Sequence, residues 1–340
     1  MTEKKAVPGI GGDHYVSYDE RTGGESVVFF TRDLSAEGLV KIYERIQEVL
    51  EGRVAVKLHT GEKGGPNIIP REWVRALMEQ KLSDGTIIET NSYYAGDRDT
   101  TSKHQETLRV NGWTFAPVDI MDAEGSVMLP VKGGKWFTEM SMGRTLTEYD
   151  SLLALTHFKG HSKGGFGGSD KNIGIGCADG KVGKAMIHTT PGQNDQWDIG
   201  EEEFMERMTE SAKAVADYFG KKIAYINVMR NMSVSCDCEG IYAAPVVTPD
   251  VGICASLDIL AVDQACVDIV YAMTEAEHHD LVERIESRHG LRQLSYMKEL
   301  GMGNDRYRLV DIDHGDKVID VKDAVKNLMP FGRHSGIFGS

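Results

Sequence analysis

Strand-like and helix-like segments alternate along most of this chain, and the alternation restricts the fold more than any other sequence feature. Short apolar runs at 53–59, 86–91 and 222–228 are typical of buried strands, whereas 201–219 has apolar residues at helical spacing. A repeated strand–helix–strand order implies right-handed crossovers between parallel strands. The sequence therefore predicts an α/β fold with a mostly parallel sheet and flanking helices.

The length of the chain favours two subdomains around one cleft. The chain has 340 residues, and a domain commonly holds about 100–200 residues. We expect an N-terminal α/β subdomain at 25–125 and a second α/β subdomain with a Gly-rich loop at 126–315. Terminal extensions are predicted at 1–24 and 316–340.

The charge balance excludes several classes of partner. The chain has 38 Lys and Arg against 52 Asp and Glu, a net charge of −14. Such a balance argues against a nucleic-acid-binding protein and against a protein that binds membranes through a polybasic surface. The sequence shows neither a secretory signal nor an apolar run of bilayer length. Its 5 cysteines are an odd number, which argues against a disulfide framework. We therefore expect a cytoplasmic protein with reduced thiols. Whether it forms a homo-oligomer stays an open question.

The region 156–176 is rich in glycine and lysine and follows an apolar strand. In a parallel sheet this position lies at the carboxyl edge, where such folds bind ligands. Glycines expose backbone N–H groups that can hold an anion, and lysines add positive charge. The alternative is a flexible surface loop. The predicted anion-binding residues of this region are Gly164, Gly165, Gly167, Gly168, Lys171 and Asn172.

Two histidines in the same region are candidate catalytic residues. His157 and His161 have the spacing H-x-x-x-H, but Gly160 between them argues against a helix. They are interpreted as acid–base groups or metal ligands, and Lys159 would offset charge that develops during a reaction. Hydrogen-bonding histidines are the alternative to metal ligands.

A second dense segment holds two cysteines one residue apart. Cys236 and Cys238 flank Asp237 just after a predicted strand, and thiolates are ligands that suit zinc or iron. With His157 and His161 they would form a metal site of two thiolates and two imidazoles. Two buried, inert cysteines at a turn are the alternative.

Polar residues at two further strand ends add candidates for anion binding. Arg98 follows the strand at 86–91 and could clamp a carboxylate or phosphate, with His104 nearby. His59 follows the strand at 53–59. Arg98 could instead form a surface ion pair with Asp97 or Asp99, and Asp258 and Asp263 are interpreted mainly as caps of the helix they precede.

Several of these segments together resemble the prokaryotic family known as domain of unknown function 362. The resemblance extends from about residue 25 to 315, and the pairing of HFKGH with CDCEG is specific. The matching stretches are Val56–Gly61, Val118–Ile120, His157–His161, Gly164–Gly168 with Lys171 and Asn172, Cys236–Gly240, Ala255–Asp258 and Asp263–Asp268.

Many members of that family carry a ferredoxin-like insert with repeated C-x-x-C runs and are labelled iron–sulfur proteins. This chain has no cysteines between His188 and the helix that begins near Glu201, where the insert would stand. Iron–sulfur electron transfer is therefore not expected here, and no iron–sulfur cluster is predicted.

The combined prediction is an enzyme that acts on a small anionic substrate or cofactor, by metal-assisted or histidine acid–base chemistry. Zinc and iron are the candidate metals. The rival is a non-catalytic scaffold that binds a metal or a partner and is related to iron–sulfur electron-transfer proteins. An enzyme should gather its His, Lys and Arg side chains in one concave pocket, whereas a scaffold should scatter them.

Overall fold

The computed structural model describes residues 13–190 and 199–329, and within them the chain alternates between strands and helices. The strands are β1 (Glu25–Thr31), β2 (Val54–Lys57), β3 (Thr86–Glu89), β4 (Val118–Ile120), β5 (Ser126–Pro130), β6 (Glu139–Gly143), β7 (Ser151–His157), β8 (Lys159–His161), β9 (Gly165–Gly167), β10 (Ile223–Met229), β11 (Gly252–Ser256), β12 (Arg306–Asp311) and β13 (Lys317–Ile319). The helices are α1 (Ala36–Tyr43), α2 (Arg71–Lys81), α3 (Thr101–Val110), α4 (Ser169–Gly176), α5 (Gly183–His188), α6 (Glu201–Phe219), α7 (Ile259–Ala272), α8 (Glu275–Ser287), α9 (Arg292–Glu299) and α10 (Val321–Ala324).

A 9-stranded sheet with the order β13-β12-β1-β11-β10-β7-β2-β3-β4 forms the centre of the fold. Parallel pairs join β10 to β7, β7 to β2, β2 to β3, β3 to β4 and β1 to β12. Strand β11 runs antiparallel to both of its neighbours, and β13 runs antiparallel to β12. Buried hydrophobic clusters lie against this sheet. The predicted α/β class, with a mostly parallel sheet and flanking helices, is confirmed.

The central sheet takes strands from both predicted subdomains. Strand β1 from 25–125 lies between β11 and β12, which belong to 126–315. The predicted extensions also contribute in part, since Arg21 forms an ion pair with Asp268 and β13 ends the sheet. The division into two subdomains around a cleft stays a prediction.

Four parallel neighbours in this sheet, β10, β7, β2 and β3, end at one edge. Their carboxyl ends therefore bring together segments that are far apart in sequence. No helix among the described residues is long and apolar enough to span a bilayer.

The glycine-rich region differs from the expected loop. It contains a hairpin of β8 and β9, followed by helix α4, and most of it is buried. Gly165 has φ +76°, and a Cβ atom there would lie 2.8 Å from the Cα atom of Gly290. The glycines allow this close packing, so the alternative of a flexible surface loop is wrong.

A buried carboxylate holds the start of helix α4. Asp263 accepts hydrogen bonds from the backbone N–H groups of Ser169 (2.7 Å) and Asp170 (2.9 Å), and from the amide of Asn227 (2.7 Å). Burial raises the pKa of Asp263 to about 6. Asp258 caps its own helix α7 as expected, whereas Asp263 lies within α7 and caps a different helix.

Replacing Asp263 with alanine should lower the free energy of unfolding by about 3–5 kcal/mol, because buried donors lose their acceptor. Chemical denaturation of both proteins measures the difference. Glu148→Ala is the matched control, since it removes a carboxylate from an exposed ion pair with Arg53 and should cost less than about 1 kcal/mol. Equal losses in the free energy of unfolding would show that the cap stabilises the protein no more than an exposed ion pair does.

Candidate functional site

A cavity of about 540 Å³ lies at the carboxyl ends of β2, β3 and β7. Cationic side chains outnumber acidic ones among the described residues that line it, and Glu89 and Glu201 are the acidic residues there. Four histidines, His59, His157, His161 and His188, also line it. The lining cations are Lys57, Arg98, Lys159, Lys163, Lys171, Lys184 and Arg288.

The last residues of β2 and β3 form a buried ion pair in the cavity wall. Lys57 Nζ donates to Glu89 (2.9 Å), to the carbonyl of Leu58 (2.9 Å) and to the side-chain oxygen of Asn172 (3.3 Å). Burial alone would raise the pKa of Glu89, but Lys57 and the neighbouring cations hold it well below its ordinary value. Glu89 therefore stays charged and fixes the ammonium of Lys57.

Arg98 is buried and lines the same cavity. Its partners are not those of the alternative surface ion pair with Asp97 or Asp99. Its guanidinium donates to Glu62 at 2.5 Å and lies 3.6 Å from Glu89. Neither Asp97 nor Asp99 is its partner, so the surface ion pair is excluded. The role of Arg98 in anion binding stays a prediction.

His157 lies apart from the cysteines and interacts with Asp237. Its Nδ1 atom is 3.0 Å from the Asp237 carboxylate, and its Nε2 atom is 2.6 Å from the carbonyl oxygen of Arg230. Lys159 Nζ also contacts Asp237, at 2.9 Å. Burial would raise the pKa of Asp237, but His157 and Lys159 hold that pKa below its ordinary value. The histidine whose ligand atom gathers with those of the two cysteines is His161 and not His157.

His161, Cys236 and Cys238 form a compact group on the wall of the cavity. One ligand atom from each lies within 4.8 Å of the others, and His161 and Cys238 line the cavity. His161 Nδ1 accepts a hydrogen bond from the backbone N–H of Gly164 (2.7 Å), and Lys171 Nζ lies 3.1 Å from Cys236 Sγ. The structure thus brings together three of the four expected ligands.

The two thiols of this group differ in their protonation. Burial opposes a charged Cys236, but contacts with Cys238, Lys171 and His161 lower the pKa of its thiol well below the ordinary value. The contact with Cys236, together with burial, raises the pKa of Cys238 well above its ordinary value. Cys236 is therefore the more acidic of the two thiols.

Apart from His104, the remaining predicted anion-binding residues fall into two sets. His59, Gly168, Lys171 and Asn172 line the cavity. Gly164, Gly165 and Gly167 lie outside the described lining of the cavity, and the carbonyl of Gly164 accepts a hydrogen bond from Gln293.

His104 lies inside the protein and outside the described lining of the cavity. Its side chain is 0% exposed, and neither ring nitrogen has a hydrogen-bond partner in the described part of the chain. Burial, with Arg98 nearby, lowers the pKa of His104 to about 3. The ring is therefore neutral and does not contribute positive charge to anion binding.

Several lining residues escaped sequence reasoning. Lys57 and Glu89 had a usable signal, because each is a charged residue at the end of an otherwise apolar strand. Lys184 and His188 come from α5, a helix of 6 residues without a recognisable motif. Asp237 is a partner of the lining residues His157 and Lys159; it stands between the two cysteines and had no predicted role of its own.

Comparison with known families assigns the chain to a family. The model described as Domain of unknown function (DUF362) matches residues 54–268, more than half of the chain. The protein belongs to the DUF362 family. A search of curated proteins finds no significant match to this DUF362 protein.

Two solved structures are distantly similar to this DUF362 protein. The lactate racemase apoprotein from Thermoanaerobacterium thermosaccharolyticum has 11% identity and a TM-score of 0.38, covering 85% of this chain and 83% of that chain. A protein from Thermotoga maritima has 15% identity and a TM-score of 0.36, covering 57% of this chain and 49% of that chain. Likeness at this level assigns no activity to this chain.

Acid should destabilise the protein partly through His104. Its folded pKa of about 3 lies below the ordinary value, so the unfolded chain takes up a proton first and stability falls as pH drops from about 6.5. His104→Leu should reduce this dependence by up to about 1.4 kcal/mol per pH unit between roughly pH 5.5 and 4. Urea denaturation at several pH values measures the slope.

The exposed His14 provides the matched control, and His14→Gln should leave the slope of the wild type unchanged. An unaltered slope in His104→Leu would mean that His104 already carries its proton in the folded protein.

Proposed function

We propose that this DUF362 protein is an enzyme that converts a small anionic substrate at a metal ion bound by His161, Cys236 and Cys238. The observation that carries the proposal is a cavity lined by cations, with a histidine–cysteine group on its wall. The convergence of these side chains supports an enzyme over a non-catalytic scaffold.

The charge distribution supports an anionic substrate. The chain has a net charge of −14, yet lysines and arginines gather around one cavity. A concave site lined with one sign of charge attracts ligands of the opposite sign, and a volume of about 540 Å³ suits a small molecule. A carboxylate or phosphate group is the chemistry that these donors fit.

The ligand set supports a metal with an open position. Catalytic zinc sites use three protein ligands and keep a fourth position for water or substrate, and thiolates also suit iron. His161 and Cys238 line the cavity, so the open position would face the substrate. The metal would polarise a carbonyl group or lower the pKa of bound water, while Lys171 balances the charge of the thiolates.

A second candidate is a metal-free thiolate centre. Because Gly164 N–H donates to His161 Nδ1, the neutral imidazole carries its proton on Nε2 and can donate it to a thiolate. Lys171 also contacts Cys236. In this arrangement His161 acts as an acid–base group beside a stabilised thiolate, and the anionic substrate occupies the same cavity.

Metal content distinguishes the two candidates. Protein purified anaerobically should contain about one zinc or iron ion per chain, and Cys236→Ser and Cys238→Ser should each lose most of it by elemental analysis. Cys177→Ala is the control, since Cys177 is buried and lies outside the ligand group. Protein that stays metal-free after anaerobic reconstitution with both metals would refute the metal site and favour the thiolate centre.

Anion binding is tested separately from the metal. Inorganic phosphate and malonate should raise the thermal midpoint at low salt, with a smaller effect at high salt. Arg288 lines the cavity and its Nε atom has no partner in the described structure, so Arg288→Gln should weaken binding by about tenfold. Arg45→Gln is the control, because Arg45 pairs with Asp316 at the surface. Failure of both anions to bind would contradict an anionic substrate.

A further inference from the structure

We propose that the amine of Lys184 forms an imine with the carbonyl group of the substrate, which makes the substrate class a small 2-oxo acid. This inference rests on the proposed function, because it assumes that the anionic substrate occupies the cavity. It adds a covalent step and a reacting residue that neither the metal nor the thiolate centre supplies.

The position of Lys184 suits a nucleophile. Its side chain is 6% exposed and lines the cavity from helix α5. Nζ donates to Thr90 Oγ1 at 2.7 Å and to the carbonyl oxygen of Asn91. A neutral amine has two N–H bonds and one lone pair. Two acceptors therefore use both N–H bonds, and the lone pair is left for a molecule in the cavity.

The direction of the hydrogen bond with Thr90 is set by its other contacts. The Thr90 hydroxyl has the carbonyl oxygens of Gly176 (3.1 Å) and Ala178 (3.0 Å) as acceptors for its own proton. Its oxygen is thus the acceptor for Lys184. The amine is held in one place by neutral groups, and it does not need a positive charge to make these bonds.

Three other lysines of the cavity contact an acidic side chain or a cysteine sulfur. Lys57 contacts Glu89, Lys159 contacts Asp237, and Lys171 contacts Cys236 Sγ. Lys184 makes no ion pair with any residue that the structure describes. Lys184 thus differs from these three lysines in that its described hydrogen-bond partners are neutral groups.

The electrostatic surroundings of Lys184 favour the neutral amine. Burial, reinforced by Arg98 and Lys57, lowers the pKa of Lys184 to about 8, although Asp122 and Glu89 act in the opposite direction. In about a tenth of the molecules Lys184 is then neutral at pH 7, whereas an ordinary lysine is neutral in well under a thousandth of them. Buried lysines of lowered pKa are the usual imine-forming nucleophiles.

The covalent step balances without an oxidant or a reductant. The lone pair of Nζ attacks the carbonyl carbon and forms a C–N bond, and the π electrons of the carbonyl move to its oxygen. That oxygen takes one proton from the attacking nitrogen and one from solvent and leaves as water. The nitrogen keeps one hydrogen, and the product is a protonated imine. A carboxylate beside the carbonyl carbon would be bound by the cations of the wall, so both functional groups of a 2-oxo acid have partners.

Reduction with borohydride traps such an imine as a stable secondary amine. The purified wild-type protein is incubated at pH 7 with pyruvate or with 2-oxoglutarate, treated with sodium borohydride, digested and mapped by mass spectrometry. Lys184 should carry the adduct with at least one acid, at least about tenfold more than Lys222 in the same sample. Lys222 is the internal reference because it is an exposed lysine in an ion pair with Glu51. Lys184→Arg keeps the charge and should abolish the adduct.

The outcomes separate this inference from the function on which it rests. Labelling spread evenly over surface lysines, or absent with both acids, would overturn the imine. If phosphate and malonate still bind, the proposed function survives that result, and if they do not bind, both proposals fail. A Lys184→Arg variant that does not fold leaves the decision to the mapping of the wild-type protein.

Discussion

Charge neutralisation within the cavity wall is the constraint on which the rest of the site depends. A buried ammonium or carboxylate is costly unless a partner compensates for the lost hydration. Glu89 and Asp237 supply that compensation for Lys57 and Lys159, and the sulfur of Cys236 contacts Lys171. Removing one member of such a pair would leave a buried charge alone, so each pair holds both of its side chains in place.

These pairs form because the sheet places their segments side by side. Lys57 ends β2, Glu89 ends its neighbour β3, and Asp237 follows β10. Asn172 of helix α4 connects two of the strands by donating to the carbonyls of Lys57 (3.1 Å) and Leu155 (3.3 Å). The helix approaches so closely that a Cβ atom at Gly176 would lie 2.3 Å from the Cε atom of Lys57.

Regular elements were predictable from the sequence, whereas the glycine-rich segment was not. Helix α6 has the predicted bounds, because its apolar residues keep a helical period. The β8–β9 hairpin and α4 carry glycines for close packing, and glycine-rich segments resemble loops when only local sequence is considered. His161 and the two cysteines were expected together, and the shared carboxyl edge of parallel strands explains why that expectation succeeded.

The sequence by itself determined the α/β class and the family, and it indicated which motifs carry chemistry, because periodicity and local spacing are written along the chain. Only the tertiary structure decided the partners. In the folded protein His157 contacts Asp237 and not the cysteines, and Arg98 pairs with Glu62. Lys184 lines the cavity from a helix without a motif. Pairing across 80 residues of chain, as between His157 and Asp237, depends on strand order and helix packing, which no local pattern encodes.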